Sequence, residues 1–145
     1  SLKTIDTREE AIICKDAGRL FAFETTIKFE EGTREFSIRF YEDEELREAY
    51  EYKFSLVDNR FTFDKNPNYK WFQMMNKGLE RPIYLEVNKE YNLRLIVDDT
   101  ISTLYMDGVA LNARIYKKFG DAIALTVTDG AITTSNTTIS KTLNR

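Results

Sequence analysis

The sequence predicts an all-β fold: a two-sheet antiparallel sandwich of the concanavalin-like jelly-roll type. Three observations lead to this prediction. Apolar and polar residues alternate in several short runs, turn signals rich in Gly, Asp and Asn separate those runs, and only one short stretch has helical composition. Many short strands with almost no helix are typical of sandwiches and jelly rolls. A chain of 145 residues with 42% apolar and 13% aromatic composition can bury a core, so we expect one sandwich domain over residues 1–145.

The strand predictions rest on a period of two. In the first clear case Phe21, Phe23 and Ile27 share one face of a strand, because side chains of successive strand residues point to opposite faces. The alternating segments, in chain order, are "FAFETTIKF", "FSIRF", "RFTF", "YNLRL", "AIALTVT" and "AITTSNTTIS". The intervening "EEGT", "VDN", "NPN", "DDT" and "DG" are turn signals. In "FSIRF", Ser37 and Arg39 are predicted to lie on the polar face, opposite the apolar face.

Two segments interrupt this pattern. "DEELREAYEY" (43–52) is either a short helix or a charged loop that runs into a strand at "YEYKFSL". The acidic run from Glu42 to Glu48 has no apolar interleaving, so we predict that it is solvated. Pro67 and Pro82 bracket "NYKWFQMMNKGLER", which predicts a longer irregular connection of the kind that often carries function on a sandwich.

Asp107-Gly108 is a strong signal for a two-residue hairpin turn of type I′, which requires positive φ at both central residues. The register that follows pairs Met106 with Val109, Leu104 with Leu111, Ser102 with Ala113, Tyr105 with Ala110, Thr103 with Asn112 and Ile101 with Arg114. The first three pairs form a largely apolar side that should pack on the core. The other side is mixed, and is either solvated or a surface for a sugar or a neighbouring domain.

Several classes of function are excluded or disfavoured by composition. The chain has no histidine, which rules out Ser-His-Asp and Cys-His catalysis within it. The single cysteine, Cys14, cannot form an internal disulfide and is predicted to be a small apolar strand residue. With a net charge of −3 and scattered Lys and Arg, we expect no nucleic-acid partner, and no apolar run is long enough for a membrane span. We expect no cofactor or metal; calcium bound by Asp side chains is possible but unsupported.

The carboxylates do not form a catalytic pattern. Glycoside hydrolysis needs two carboxyl groups about 5–10 Å apart across the scissile bond, and no strand face carries an acidic-x-acidic repeat. Asp98 and Asp99 fall between two strands, where Asp is favoured in turns. The sequence therefore predicts a chain without an active site.

The segment "LRLIVDDTISTLYMDGVALNARIY" (93–116) resembles the signature of the C-terminal β-sandwich domain of glycoside hydrolase family 32, the invertases, levanases and inulinases. The matching positions are Val97-Asp98, Tyr105, Asp107-Gly108 and Arg114-Ile115-Tyr116. "NRFTFDKN" also resembles the family's Gly-Arg-Leu-Thr-Leu-Asp-Arg-Ser, with Asp64 at the Asp position. The resemblance covers about Phe21 to Ser140. Lys65 stands where the family usually has Arg, and Thr103 where it has Glu.

The resemblance implies a non-catalytic sandwich that packs on and stabilises a catalytic five-bladed propeller earlier in the same chain. None of the propeller's catalytic motifs occurs here, and a first residue of Ser rather than Met is expected for a fragment. The parent would be a glycosidase acting on fructans or sucrose, secreted or periplasmic. Packing on a propeller also predicts a sizeable apolar patch on one face of the domain.

The alternative is a carbohydrate-binding module for fructose-containing polysaccharide, because levan-binding modules have a related sandwich. Its candidate sugar contacts are Trp71, Tyr69, Arg39, Asp64, Lys65 and Arg114. Trp71 could instead fill the core beneath a loop. Arg39 and Arg114 could instead lie on solvated strand faces.

Overall fold

The fold is an antiparallel two-sheet sandwich, as predicted. The computed structural model describes residues 2–5, 8–66 and 79–141. Its strands are β1 (Leu2–Ile5), β2 (Arg8–Cys14), β3 (Leu20–Phe29), β4 (Glu35–Asp43), β5 (Glu48–Ser55), β6 (Arg60–Asn66), β7 (Glu80–Pro82), β8 (Tyr91–Asp98), β9 (Ile101–Met106), β10 (Val109–Arg114), β11 (Ala122–Thr128) and β12 (Ile132–Ser140). No helix long and apolar enough to cross a bilayer occurs among these described residues.

The two sheets draw strands from both ends of the chain. The seven-stranded sheet has the order β1-β2-β11-β4-β5-β6-β7, and the five-stranded sheet has the order β10-β9-β8-β3-β12. Strand β11 is inserted between β2 and β4, and β12 pairs with β3, so late strands return to lie beside early ones. These returns bring residues that are distant in sequence onto one sheet face.

The core between the sheets is rich in aromatic side chains. Phe36 and Phe54 are stacked with ring centroids 4.9 Å apart, and Phe54 and Phe61 are stacked at 4.8 Å across β5 and β6. On the opposite sheet β3 keeps the predicted alternation, with Phe21 and Phe23 fully buried. Cross-strand aromatic pairs of this kind stabilise a sheet beyond the area that they bury.

One polar contact crosses the core. The Tyr52 hydroxyl lies 2.7 Å from Ser102 Oγ, and Ser102 Oγ donates to the Ala113 carbonyl at 3.2 Å. Because the Ser102 hydroxyl has one proton, Tyr52 must donate to Ser102. The buried hydroxyls are therefore satisfied, and burial raises the pKa of Tyr52.

The predicted hairpin register is confirmed at all six residue pairs. Its apolar side packs on the core, since Leu104, Met106 and Leu111 are almost fully buried. The turn itself is not type I′. Asp107 has positive φ, at 51°, whereas Gly108 is outside the left-handed region. The Asp107 side chain accepts a bond from the Asn92 amide at 2.8 Å, which ties the turn to β8.

The charged segment after β4 is a turn at residues 44–47, followed directly by β5. Of the two structures left open for residues 43–52, the loop that leads into a strand is therefore confirmed. The prediction that the acidic run is solvated is wrong at Glu42, which is 1% exposed. Arg39, predicted on a polar strand face, is also fully buried. Cys14 ends β2 and is half-buried, as expected for a strand residue.

Candidate functional site

A buried cluster of charged side chains lies on the face of the seven-stranded sheet that is turned away from the core. We call it the outer charged cluster: Arg8, Glu10, Arg39, Glu42, Arg47 and Glu51. Strand register explains the convergence. Glu10 pairs with Thr126 of β11, Thr126 pairs with Ser37 of β4, and Arg39 pairs with Glu51 of β5. Residues paired across neighbouring strands point to the same face.

A β-bulge places Glu42 on this face. Strict alternation would point residues three apart in a strand to opposite faces, yet Arg39 and Glu42 both face outward. The register shifts between Phe40 and Asp43, and Tyr41 has a φ of 52°. The extra residue reverses the alternation, so Glu42 joins Arg39. Gly120 allows the close backbone contact beside this bulge, because a Cβ there would lie 2.2 Å from the Glu42 carbonyl oxygen.

Arg39 is the centre of the cluster. Its Nε lies 3.1 Å from Glu42 Oε2 and 3.4 Å from Glu10 Oε2, and its Nη1 lies 3.6 Å from Glu51 Oε2. Arg8 donates to both oxygens of Glu51, at 2.9 and 3.2 Å. Three carboxylates thus depend on two buried guanidinium groups for compensation of their charge.

The turn between β4 and β5 supplies the third guanidinium group. Arg47 Nη2 lies 3.0 Å from Glu10 Oε1, and the Arg47 carbonyl accepts a bond from Arg39 Nη2 at 2.9 Å. Arg47 has a φ of 60°, a left-handed conformation that is uncommon for a residue with a side chain. The ion pair and the carbonyl bond together hold this turn over the cluster.

Two carboxyl groups of the cluster have shifted pKa values of opposite sign. Burial and a hydrogen bond with Glu10 raise the pKa of Glu42 to about 7, against the attraction of Arg39. Burial also disfavours the charged form of Glu51, but Arg8 and Arg39 outweigh it and hold the pKa of Glu51 below its usual range. At neutral pH the Glu42 carboxyl group is therefore close to the midpoint of its titration.

The six predicted sugar contacts do not form one site. Trp71 and Tyr69 lie outside the described residues. Arg39 has no exposed surface, so a sugar would have to displace the covering turn to reach it. The expected solvated face at Arg39 is therefore wrong.

The other three candidates lie in three different environments, and Lys65 is buried. Asp64 pairs with Glu51 and lies half-buried on the outer face, where burial raises its pKa. Lys65, the next residue, must point to the opposite face. There its Nζ lies 4.7 Å from the centre of the Phe119 ring. Arg114 is exposed on the other sheet, where the polar strand face predicted for it is confirmed.

Three turns meet at the opposite end of the seven-stranded sheet from Arg47 and enclose a polar cavity of about 480 Å³. We call it the turn-end cavity. Its polar lining comes from three places: Arg34 and Glu35 at the start of β4, Ser55 and Asp58 at the end of β5, and Thr128 and Asp129 at the end of β11. Arg34 Nε lies 4.0 Å from Asp129 Oδ2, and Asp58 accepts a bond from Ser55 Oγ at 3.1 Å. Carboxylate and guanidinium groups around an open cavity can bind a hydroxyl-rich ligand.

The mixed outer face of the hairpin is also present. Asn112 and Arg114 are exposed, Thr103 and Tyr105 are half-buried, and Thr103 Oγ1 donates to Asn112 Oδ1 at 2.6 Å. The sizeable apolar patch expected on one face stays a prediction for residues 2–5, 8–66 and 79–141. The large exposed apolar side chains there are scattered over several turns and strand ends: Leu46, Val57, Tyr84, Val87, Ile101 and Tyr116.

No group of three or more acidic or cysteine side chains in the described part of the chain converges to hold a metal ion. Asp99, predicted to serve a turn, has a φ of 54° and accepts a bond from Arg19 Nη1 at 3.0 Å. Its role in this structure is to join the β8–β9 turn to the segment before β3.

Comparison with known families identifies the chain. Residues 2–141 match the family described as "Glycosyl hydrolases family 32 C terminal". The chain belongs to this family. The search of curated proteins found no sequence that matches this chain.

Solved structures with the same fold agree with the assignment. The carbohydrate-binding module CBM66 from Bacillus subtilis has a TM-score of 0.73 at 18% identity, over 95% of this domain and 84% of that chain. A fructosyltransferase from A. japonicus has a TM-score of 0.69 at 16% identity, and a fructofuranosidase from Schwanniomyces occidentalis complexed with fructose has 0.61 at 17%. The family 32 domain aligns over 99% and 96% of its own length with these enzymes but covers only 26% and 32% of theirs.

Sequence reasoning missed most of the residues that the structure brings together. Glu10 and Glu51 were not singled out and Glu42 was predicted to be solvated, because the three come from different strands and Glu42 lies at a bulge. The turn-end cavity was missed for a similar reason. The available signal was the residue type at its turns, but "VDN" (57–59) and "DG" (129–130) by themselves predict only turns.

Proposed function

We propose that this family 32 domain is the non-catalytic C-terminal sandwich of a glycosidase that acts on sucrose or fructans, and that it stabilises the catalytic propeller of the same chain. The family match over residues 2–141 is the observation that carries the proposal. The fructosyltransferase and the fructofuranosidase that share its fold are much longer, because the domain covers only 26% and 32% of their chains. This difference in length supports the proposal.

The arrangement of the carboxylates supports the non-catalytic part of the proposal. Glu10 and Glu42 both converge on Arg39 Nε and are 0% and 1% exposed, so a glycosidic bond cannot lie between them. Glycosidases place their two carboxyl groups on either side of an accessible bond. The ion pairs of the cluster instead join strands β2, β4 and β5 of the sandwich.

We propose that the outer face of the five-stranded sheet packs on the propeller. Ile101 and Tyr116 are about half exposed at one end of this face, beside the exposed Arg114. Interfaces between domains of one chain are more polar than a core, so a mixed face with two apolar side chains is suitable.

The interface predicts an effect that appears only in the full-length enzyme. The double substitution Ile101→Asp with Tyr116→Asp should lower the Tm of the full-length protein, because two charges would be buried between domains. In the isolated domain the same change should alter the free energy of unfolding by less than about 0.5 kcal/mol per site. Differential scanning calorimetry of both proteins measures these effects.

Leu46→Asp is the matched control, because Leu46 is also exposed but lies in the β4–β5 turn. An equal fall of Tm in the control would show that the proposed face is wrong. The isolated domain should release no fructose from sucrose, levan or inulin. Release by the purified domain would contradict the non-catalytic assignment.

We propose carbohydrate binding as a second function, and the turn-end cavity is the specific observation that favours it. The likeness to CBM66 concerns the fold, which is compatible with this function. Titration calorimetry with levan, inulin and fructose tests it directly. Heat of binding at millimolar sugar would support the second function, and its absence would remove it for those three ligands.

A further inference from the structure

We infer that the turn-end cavity is a carbohydrate-binding site that holds one neutral sugar unit through hydrogen bonds to its hydroxyl groups. The inference deepens the second proposed function by naming the site and the ligand chemistry. Of the six residues predicted from the sequence, the four that the structure describes, Arg39, Asp64, Lys65 and Arg114, do not line this cavity. At about 480 Å³, its volume lies within the range of roughly 300–1,000 Å³ that is usual for small-molecule sites.

The backbone around the cavity is cross-linked between the three turns. The Arg34 amide donates to the Thr128 carbonyl at 3.1 Å, and the Arg34 carbonyl accepts from the Leu56 amide at 2.9 Å. Thr33 Oγ1 accepts from the Ala131 amide at 3.0 Å. Two of these bonds join the segment before β4 to the segment after β11, and the third joins it to the segment after β5, so the backbone of the lining is held in place before a ligand arrives. A preorganised site loses less entropy on binding.

The buried ion pairs extend to the wall of the cavity. Glu35 lines it, and Glu35 Oε2 lies 4.0 Å from Arg8 Nη1, which in turn binds Glu51 in the outer charged cluster. Arg8 thereby restrains a carboxylate that would otherwise turn freely toward solvent. Burial raises the pKa of Glu35, yet Arg8 and Lys53 oppose that shift.

The lining groups match a neutral polyol. Three carboxylates, Glu35, Asp58 and Asp129, can accept bonds from hydroxyl groups, and the guanidinium of Arg34 can donate to a ring or hydroxyl oxygen. The excess of acidic groups disfavours a phosphorylated or sulfated ligand. A metal ion is disfavoured because, in the described residues, no three acidic groups come close enough to coordinate one.

The residues that the structure describes contribute no aromatic ring to the lining of the cavity. Val57, 64% exposed at the rim, is the apolar surface available to the C–H face of a sugar. Binding would thus depend on hydrogen bonds made in competition with water, which contribute little net affinity each. We expect dissociation constants in the millimolar range.

The test is a two-dimensional ¹⁵N–¹H NMR titration of the domain with fructose, sucrose and levan oligosaccharides, and separately with calcium chloride. We expect chemical-shift changes confined to residues 33–35, 57–58 and 128–130. The double variant Glu35→Gln with Asp129→Asn should weaken binding at least fivefold. Asn is suitable at position 129, where φ is 55°, because Asn tolerates this conformation.

Glu45→Gln is the control, since it also removes an exposed carboxylate but lies in the β4–β5 turn at the other end of the sheet. It should bind sugar as the unsubstituted domain does. Shifts that map to another surface would overturn the site and leave the second function in place. No shifts with any sugar would overturn both, while the accessory-domain proposal would stand. Shifts with calcium chloride alone would overturn the ligand chemistry.

Discussion

Replacing Arg39 by methionine should lower the free energy of unfolding by about 3–5 kcal/mol. Arg39 is fully buried, and its guanidinium group contacts Glu10, Glu42 and Glu51. Its removal leaves carboxylates in a dry environment with less opposite charge nearby. The expected loss is large because burying an uncompensated charge costs far more than a surface ion pair contributes.

Urea denaturation monitored by circular dichroism measures this loss, and a matching fall in Tm of about 10 °C is expected. Arg114→Met is the control, since it makes the same chemical change on an exposed strand face and should cost less than about 0.5 kcal/mol. Adding Glu10→Gln and Glu42→Gln to Arg39→Met should restore part of the stability. A small effect of Arg39→Met, or no recovery in the triple variant, would contradict the structure of the outer charged cluster.

The second large effect is a fall in stability as the pH rises from about 4.5 to about 7. Glu42 titrates near 4.5 when its environment does not perturb it, and its pKa in the folded domain is about 7. A raised pKa means that the folded state holds the proton more tightly than the unfolded state. Its stabilising contribution is complete below the unfolded pKa and is lost as the pH passes through the folded pKa.

At about 1.4 kcal/mol per unit of pKa, the loss should approach about 3 kcal/mol. The physical cause is first the burial of Glu42, and then its hydrogen bond with Glu10 and the repulsion between the two carboxylates. Arg39 and Arg47 face the same pair and limit the repulsion. Unfolding free energies measured from pH 4.5 to 8 test this prediction. Above pH 7 the stability should vary little.

Glu42→Gln should remove most of this pH dependence, because glutamine keeps the hydrogen bond without ionising. Glu45→Gln should leave the dependence unchanged. At lower pH the trend should reverse, since the pKa of Glu51 is held below its usual range and protonation of Glu51 removes stability. A flat profile between pH 4.5 and 7 in the unsubstituted domain would contradict the raised pKa of Glu42.

The hairpin and the strand faces were predictable because their signals lie within short segments of the sequence. The hairpin at Asp107-Gly108 was predicted in register because a two-residue loop leaves one pairing, and the alternating faces of β3 and β8 follow from side-chain geometry alone. The turn type was wrong, since only Asp107 has positive φ, and its side chain accepts a bond from the Asn92 amide. That bond joins the turn to a third strand, which a two-strand argument does not include.

The candidate sites were much less predictable. Asp64 and Lys65 are both predicted as polar sugar contacts, but neighbours in a strand point to opposite faces. Glu42 was placed in solvent because a bulge cannot be recognised from alternation alone. The sugar contacts were chosen by residue type, and residue type carries no information on which strand ends meet.

The sequence alone determined the fold class, the hairpin register, the absence of histidine-dependent catalysis and the family resemblance. Each of these depends on spacing or composition within short segments. The tertiary structure decided which charges are buried, how β11 brings Glu10 within reach of Arg39, and which turns enclose the polar cavity. Those features depend on pairing between strands that are far apart in the chain. Pairing of that kind is set by closure of the whole sandwich, which no short segment encodes.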